Sequence, residues 1–154
     1  LGALSGPRHG GMSDRVEALV DEAGTPSRAA VVVHERLRRG ESVPGFGHRI
    51  YPEGDERTPH LMAAAEALGG SPRLETIFAI VRTMAEAGHP PPALDFGLVA
   101  VAEALGLCAG AAVGLFAVGR SAGWVAHVLE QRQSNQLLRP RARSVGGVSA
   151  AGGR

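Results

Sequence analysis

The sequence predicts an all-α fold, on three observations. Apolar residues make up 44% of the chain and aromatics only 4%, so the interior has to be built from Ala, Val and Leu. Alanine-rich apolar sequence with Glu and Arg on the opposite faces favours helix over strand. Apolar residues recur at helical spacing, as in Val16, Leu19, Val20 and Ala23, and no convincing alternation of period two competes with them. Finally, a hydroxyl residue precedes proline at Thr25-Pro26, Thr58-Pro59 and Ser71-Pro72. That is the pattern of an N-cap followed by the first helical position, where the missing proline N–H costs nothing.

Taken in order, the first helix starts near Asp14 behind Ser13 and stops at Gly24. The second spans 26–39 and is closed by Gly40. Val31-Val32-Val33 is its β-branched run, but Glu35, Arg36 and Arg38 beyond it sit better on a helix. The third spans 59–68 before Gly69-Gly70, and the fourth 72–87 before Gly88. Two more, about 94–105 and 110–133, are separated near Gly106. Glycine-rich joints remain at 6–11, 40–48 and 88–93. The most apolar stretch, Ala104 to Gly119, has about the length of a short membrane span. It is rich in Gly and Ala and runs into Arg120, so it reads as a buried helix. The tail from Val145 reads as frayed. The opening Leu1-Gly2-Ala3-Leu4 has no initiating Met and reads as a cut through an apolar region, as in a fragment.

The formal net charge of +1 gives no strong field to draw the chain to nucleic acid or membrane. All 16 basic residues are arginine. The absence of lysine removes Walker-type phosphate loops and Schiff-base chemistry. Arginine instead grips carboxylates with two parallel hydrogen bonds, so a site for a multiply anionic substrate is open to this chain. Cys108 is the single cysteine; it reads as a small core residue and leaves no disulfide or cysteine-rich metal site. No histidine pair stands at i, i+4 with a Glu between, so a metal site is not expected. With no charged-then-apolar leader, the expected location is cytoplasmic.

Four segments carry candidate chemistry. Ser5-Gly6-Pro7-Arg8-His9-Gly10-Gly11 places an imidazole just before a helix, where the dipole disfavours its cation and suits it to donate a hydrogen bond to a carbonyl or enolate oxygen. Gly45-Phe46-Gly47-His48-Arg49-Ile50-Tyr51 holds a second glycine-flanked histidine, with Arg57 nine residues on. Pro92-Ala93-Leu94-Asp95-Phe96 sets a carboxylate at a helix start between apolar neighbours, either as a cap or as a general base. Arg120 stands within the apolar helix, and a buried Arg needs an anionic partner or ligand.

Together and in this order, these segments resemble the citrate synthase family. Gly6-Pro7-Arg8-His9-Gly10-Gly11, Gly45-Phe46-Gly47-His48-Arg49-Ile50 with Arg57, and Leu94-Asp95-Phe96 are similar to its three active-site segments. Phe116 to His127 resembles its F-A-x-x-R-x-x-G-W-x-A-H helix, and Arg139-Pro140-Arg141-Ala142 its R-P-R-A run. The resemblance implies that Asp95 removes a proton from acetyl-CoA or a related acyl-CoA, that His9 stabilises the enol, and that His48 polarises the ketone of oxaloacetate or a related 2-oxo acid. It implies that Arg57, Arg120 and Arg139 hold carboxylates, and that Gly45, Phe46 and Gly47 lie along the CoA adenine. No metal or redox cofactor follows from it.

The family fold is helical and homodimeric, which implies large-domain segments at 1–11 and 107–154 around a small domain at 12–106. Local departures bear on substrate choice. Met12-Ser13 stands where Ala-Asn is usual, Pro52 where a basic residue can meet CoA phosphate, Glu56 where Pro precedes the arginine, and Gly97 where Tyr, Trp or Ser is usual. A 2-methylcitrate synthase, a citryl-CoA lyase and a non-catalytic helical interaction module are the competing readings.

Overall fold

A computed structural model describes residues 11–48 and 50–134. It contains six α-helices: α1 Gly11–Ala23, α2 Pro26–Arg38, α3 Arg57–Leu68, α4 Pro72–Glu86, α5 Leu94–Ala104 and α6 Ala111–Ser134. The all-α expectation holds, and each expected helix is present within about two residues at its ends, except that α1 begins three residues earlier. Among the described residues there is no strand longer than an isolated antiparallel bridge between Phe46 and Pro92. The chain divides into two compact units, Leu1–Ser121 and Ala122–Arg154.

In the first unit, α2 packs on α4 and α3 on α5, with α1 against α2, α4 and α5. The core follows the helical periodicity. Val16, Leu19, Val20 and Ala23 of α1 meet Val32 and Val33 of α2, Ile77, Ile80 and Met84 of α4, and Phe96 and Val99 of α5. Phe96 is fully buried and is the largest side chain in this interior. Its ring stacks on Phe46 at 4.9 Å between centroids with the planes 58° apart, a tilted arrangement that suits two aromatic quadrupoles.

The three hydroxyl–proline pairs behave differently from one another. Ser71 caps α4 as expected, accepting the Leu74 N–H at 3.0 Å and donating to Glu103 at 2.7 Å. Thr25 occupies the N-cap of α2 but makes no side-chain cap bond; its hydroxyl meets that of Ser27 instead. Thr58 is not a cap. The helix begins before it, with Glu56 at the N-cap position and the Asp55 carboxylate just ahead of it accepting the Arg57 N–H at 3.0 Å. The Asp55 carbonyl is already satisfied by the Thr58 N–H, so Pro59 has no bond to lose. Thr58 is buried, and its hydroxyl has no partner among the described residues. At the other end of α4, the Gly88 N–H bonds to Ala85 and the His89 N–H to Met84, with Gly88 at φ +72°. This paired closure is the reason glycine is needed there.

Two burial expectations are corrected. The apolar stretch does not form a buried helix: residues 105–110 leave α5 through a turn, and Ala112 is the one buried residue of α6. Within the first unit, Ala111, Ala112, Leu115 and Phe116 of this stretch pack on the core. The start of α6 is tied down by Glu17 of α1, whose two carboxylate oxygens each accept the Gly110 N–H at 3.1 Å. α6 is long and apolar enough to cross a membrane by length and composition. Cys108, expected in the core, is exposed because it lies in the turn before α6. In the second unit, Trp124, Val125, Val128 and Leu129 are exposed, and His127 Nδ1 lies 3.3 Å from Glu130.

Candidate active site

The bridge between Phe46 and Pro92 joins two of the chemistry-bearing segments. The Ala93 N–H donates to the Gly45 carbonyl at 2.8 Å, which lays the His48 loop beside the entry to α5. Glycine at 45 is dictated by that closeness. With φ at +79°, a Cβ there would stand 2.6 Å from both Phe96 and Val16. Gly47 is also at positive φ, but a Cβ there would meet nothing within 4 Å, so its side of the loop stays open.

Asp95 lies in the first turn of α5, where a carboxylate is favoured by the helix dipole. It is half-buried, and its Oδ1 accepts a 2.9 Å hydrogen bond from the Ser13 hydroxyl. Ser13 was expected to cap α1. It lies inside the helix instead, buried, and facing α5.

His48 is half-buried. Its Nδ1 accepts the Ile50 N–H at 3.1 Å, so a neutral imidazole carries its proton on Nε2. The ring lies 5.2 Å from that of Tyr51, and the Arg57 guanidinium sits 5.8 Å over the same Tyr51 ring. Tyr51 therefore bridges two of the expected site residues, a part that sequence reasoning missed although it follows the histidine motif directly.

Arg57 is the first residue of α3 and is exposed. Its Nε and Nη2 donate to the two oxygens of Asp55 at 2.8 and 2.6 Å. The Asp55 side chain is only 2% exposed. Hydrogen bonds from Arg57 hold its carboxyl below the usual carboxylate range against the opposing effect of burial, and Asp55 in turn raises Arg57. Asp55 is a second residue that sequence reasoning missed; its signal was the acid two positions before the arginine.

Arg57 and Arg120 both line a cleft of about 630 Å³ whose walls include His60, Leu94, Leu98 and Phe116. Arg120 is exposed rather than buried as expected. At the α3–α5 contact, a Cβ on Gly97 would lie 2.9 Å from the Leu61 Cβ, so the departure at Gly97 answers to close helix packing. His9 and Arg139 lie outside the described residues. Among the described residues, no three His, Cys, Asp or Glu side chains gather as metal ligands.

The protein-family profile described as citrate synthase, C-terminal domain, matches residues 1–141. The chain belongs to the citrate synthase family. It is 37% identical over 146 residues to citrate synthase 2 of Bacillus subtilis, covering 92% of this chain and 39% of that protein. It is 35% identical over 144 residues to 2-methylcitrate synthase of Mycobacterium tuberculosis, covering 91% of this chain and 37% of that one. Citrate synthase from Thermotoga maritima superposes with a TM-score of 0.76 at 30% identity, over 96% of this chain and 42% of the other. The chain thus spans about two fifths of the length of the curated relatives it matches.

Proposed function

We propose that the polypeptide carrying this chain condenses acetyl-CoA with oxaloacetate to give citrate and CoA, as a cytoplasmic homodimer, without metal or redox cofactor and without a nucleic-acid or membrane partner. The observation that carries this reading is the bridged pair of segments that sets the His48 loop beside Asp95 within a chain of this family.

In this reading Asp95 accepts a proton from the methyl group of acetyl-CoA, and the C–H electron pair becomes the C=C bond of the enol. His9 hydrogen-bonds the thioester oxygen, and such a donor placed where charge develops is usually the largest catalytic contribution. His48 donates from Nε2 to the ketone oxygen of oxaloacetate, the proton position that the Ile50 N–H contact favours. The enol carbon attacks that ketone, the alkoxide is protonated, and water releases CoA from the thioester. Arg57, Arg120 and Arg139 hold carboxylates. The edge of Arg57 formed by Nε and Nη2 is committed to Asp55, which leaves the Nη1 side for substrate. Gly45, Phe46 and Gly47 lie along the CoA adenine, with Gly47 as the open position. Residues 12–106 form a small domain that closes over substrate between hinges near 10 and 106.

A second reading has support. The identity to 2-methylcitrate synthase, 35%, is nearly that to citrate synthase 2, 37%, so propionyl-CoA is a competing acyl donor. Thiol release by the complete polypeptide, with oxaloacetate and either acetyl-CoA or propionyl-CoA, tests both. The expected result is release with both thioesters and a higher kcat/KM for acetyl-CoA. A preference for propionyl-CoA assigns the second reading, and no release from either contradicts condensation.

A further inference from the structure

Resting on the reading of Asp95 as the base, we infer that Ser13 is a positioning residue for the reaction. Its buried hydroxyl holds one oxygen of the Asp95 carboxylate so that the other is presented to the methyl group of the acyl-CoA.

Ser13 sits in the first turn of α1 and donates across to α5, reaching Asp95 Oδ1 at 2.9 Å from 82 residues away in sequence. Hydroxyls deeper in a helix can return their hydrogen bond to the carbonyl one turn back. Thr76 and Thr83 of α4 do so, donating to the carbonyls of Pro72 and Ala79 at 3.0 and 2.9 Å; the Ser13 proton goes to the Asp95 carboxylate. Ser13 is 2% exposed, so the bond is shielded from solvent.

A carboxylate turns about a broad terminal torsion, and its own helix fixes only where it starts. One strong donor on Oδ1 sets the plane of the group and leaves Oδ2 as the oxygen that accepts the methyl proton. Ser13 keeps its own proton throughout. Because α1 follows His9 closely in sequence, the same bond joins the chain next to the proposed enol stabiliser to the helix of the proposed base. Proton transfer from carbon depends steeply on alignment, so small misplacement is costly.

The test is made in the complete polypeptide. Ser13→Ala is expected to lower kcat by about 10- to 100-fold, with KM for both substrates within about twofold. The kinetic isotope effect with methyl-deuterated acetyl-CoA should rise as proton removal becomes limiting. Ser13→Asn keeps a donor and should recover kcat to within about threefold of the parent. In an Asp95→Asn background, Ser13→Ala should cause no further loss, as expected for residues that act as one unit. The inference is overturned by a parental kcat in Ser13→Ala, by equal losses in the Ala and Asn variants, or by a loss of kcat with an unchanged isotope effect. If Asp95→Asn itself keeps full methyl exchange, the reading of Asp95 as base falls and takes this role with it. If Asp95→Asn is inactive while Ser13→Ala is not, only the role of Ser13 is refuted.

Discussion

Asp95 and Arg57 are both charged residues in the first turn of a helix, and the molecule holds them in opposite ways. Arg57 is fixed locally, by an acid two residues earlier that accepts both its backbone N–H and its guanidinium. Asp95 is fixed from a distance, by a hydroxyl on α1, and its segment is fixed by the bridge to the His48 loop. A local clasp needs only its own turn to form. A long-range clasp needs α1, the loop and α5 all to be packed around Phe96. The proposed base is therefore conditional on the fold, whereas the proposed carboxylate-binding arginine is arranged by its immediate sequence.

The largest effect that separates the two falls on the joint itself. Gly45→Ala must strain a backbone at φ +79° and push a Cβ against Phe96 and Val16. Strained φ and overpacking each cost about 1–3 kcal/mol. Denaturant unfolding should show a loss of about 3 kcal/mol, with activity lost through the base and not through the arginine. Loss of activity with unchanged stability would break the comparison.

Asp55→Ala comes next. It removes both the acceptor of the Arg57 N–H at the start of α3 and the clasp on its guanidinium, an expected cost of about 1–2 kcal/mol in stability. KM for the 2-oxo acid should rise about tenfold while methyl exchange of acetyl-CoA is retained. Equal damage to both partial reactions would mean that the two regions are not separately held.

The smallest effect is acidic. The carboxyl of Asp55 titrates below its ordinary value of about 3.9 in the folded chain. Its stabilisation is therefore complete above that value and fades as pH falls through the lower, folded one. Arg57 is 58% exposed, so the difference should stay under about 1 kcal/mol. Stability of Asp55→Asn, measured from about pH 5 to pH 2, should be flatter than that of the parent; parallel curves would deny the pair its role.

The same contrast explains what could be read from the sequence. Six helices were legible in order because capping and closure are local chemistry, as Ser71 and Gly88 show. The order of the motifs also named His48, Arg57 and Asp95 as candidates. Partners across the fold were not legible. Ser13 looked like a cap because a hydroxyl near a helix start usually is one, and nothing local says that α1 turns it towards α5. Thr58-Pro59 misled for the converse reason: the helix had already started at Arg57. The exposure of Arg120 and Cys108 depends on what covers α6 and its preceding turn, which no local pattern encodes.

The central claim, that Asp95 is the base held beside the His48 loop, is tested most directly by one measurement. Exchange of acetyl-CoA methyl protons with solvent is compared in the complete polypeptide and in its Asp95→Asn variant, with folding checked by thermal unfolding. A fall of about 10²- to 10⁴-fold in exchange is expected, the range for losing a positioned base. Exchange at the parental rate in a folded Asp95→Asn protein would contradict it.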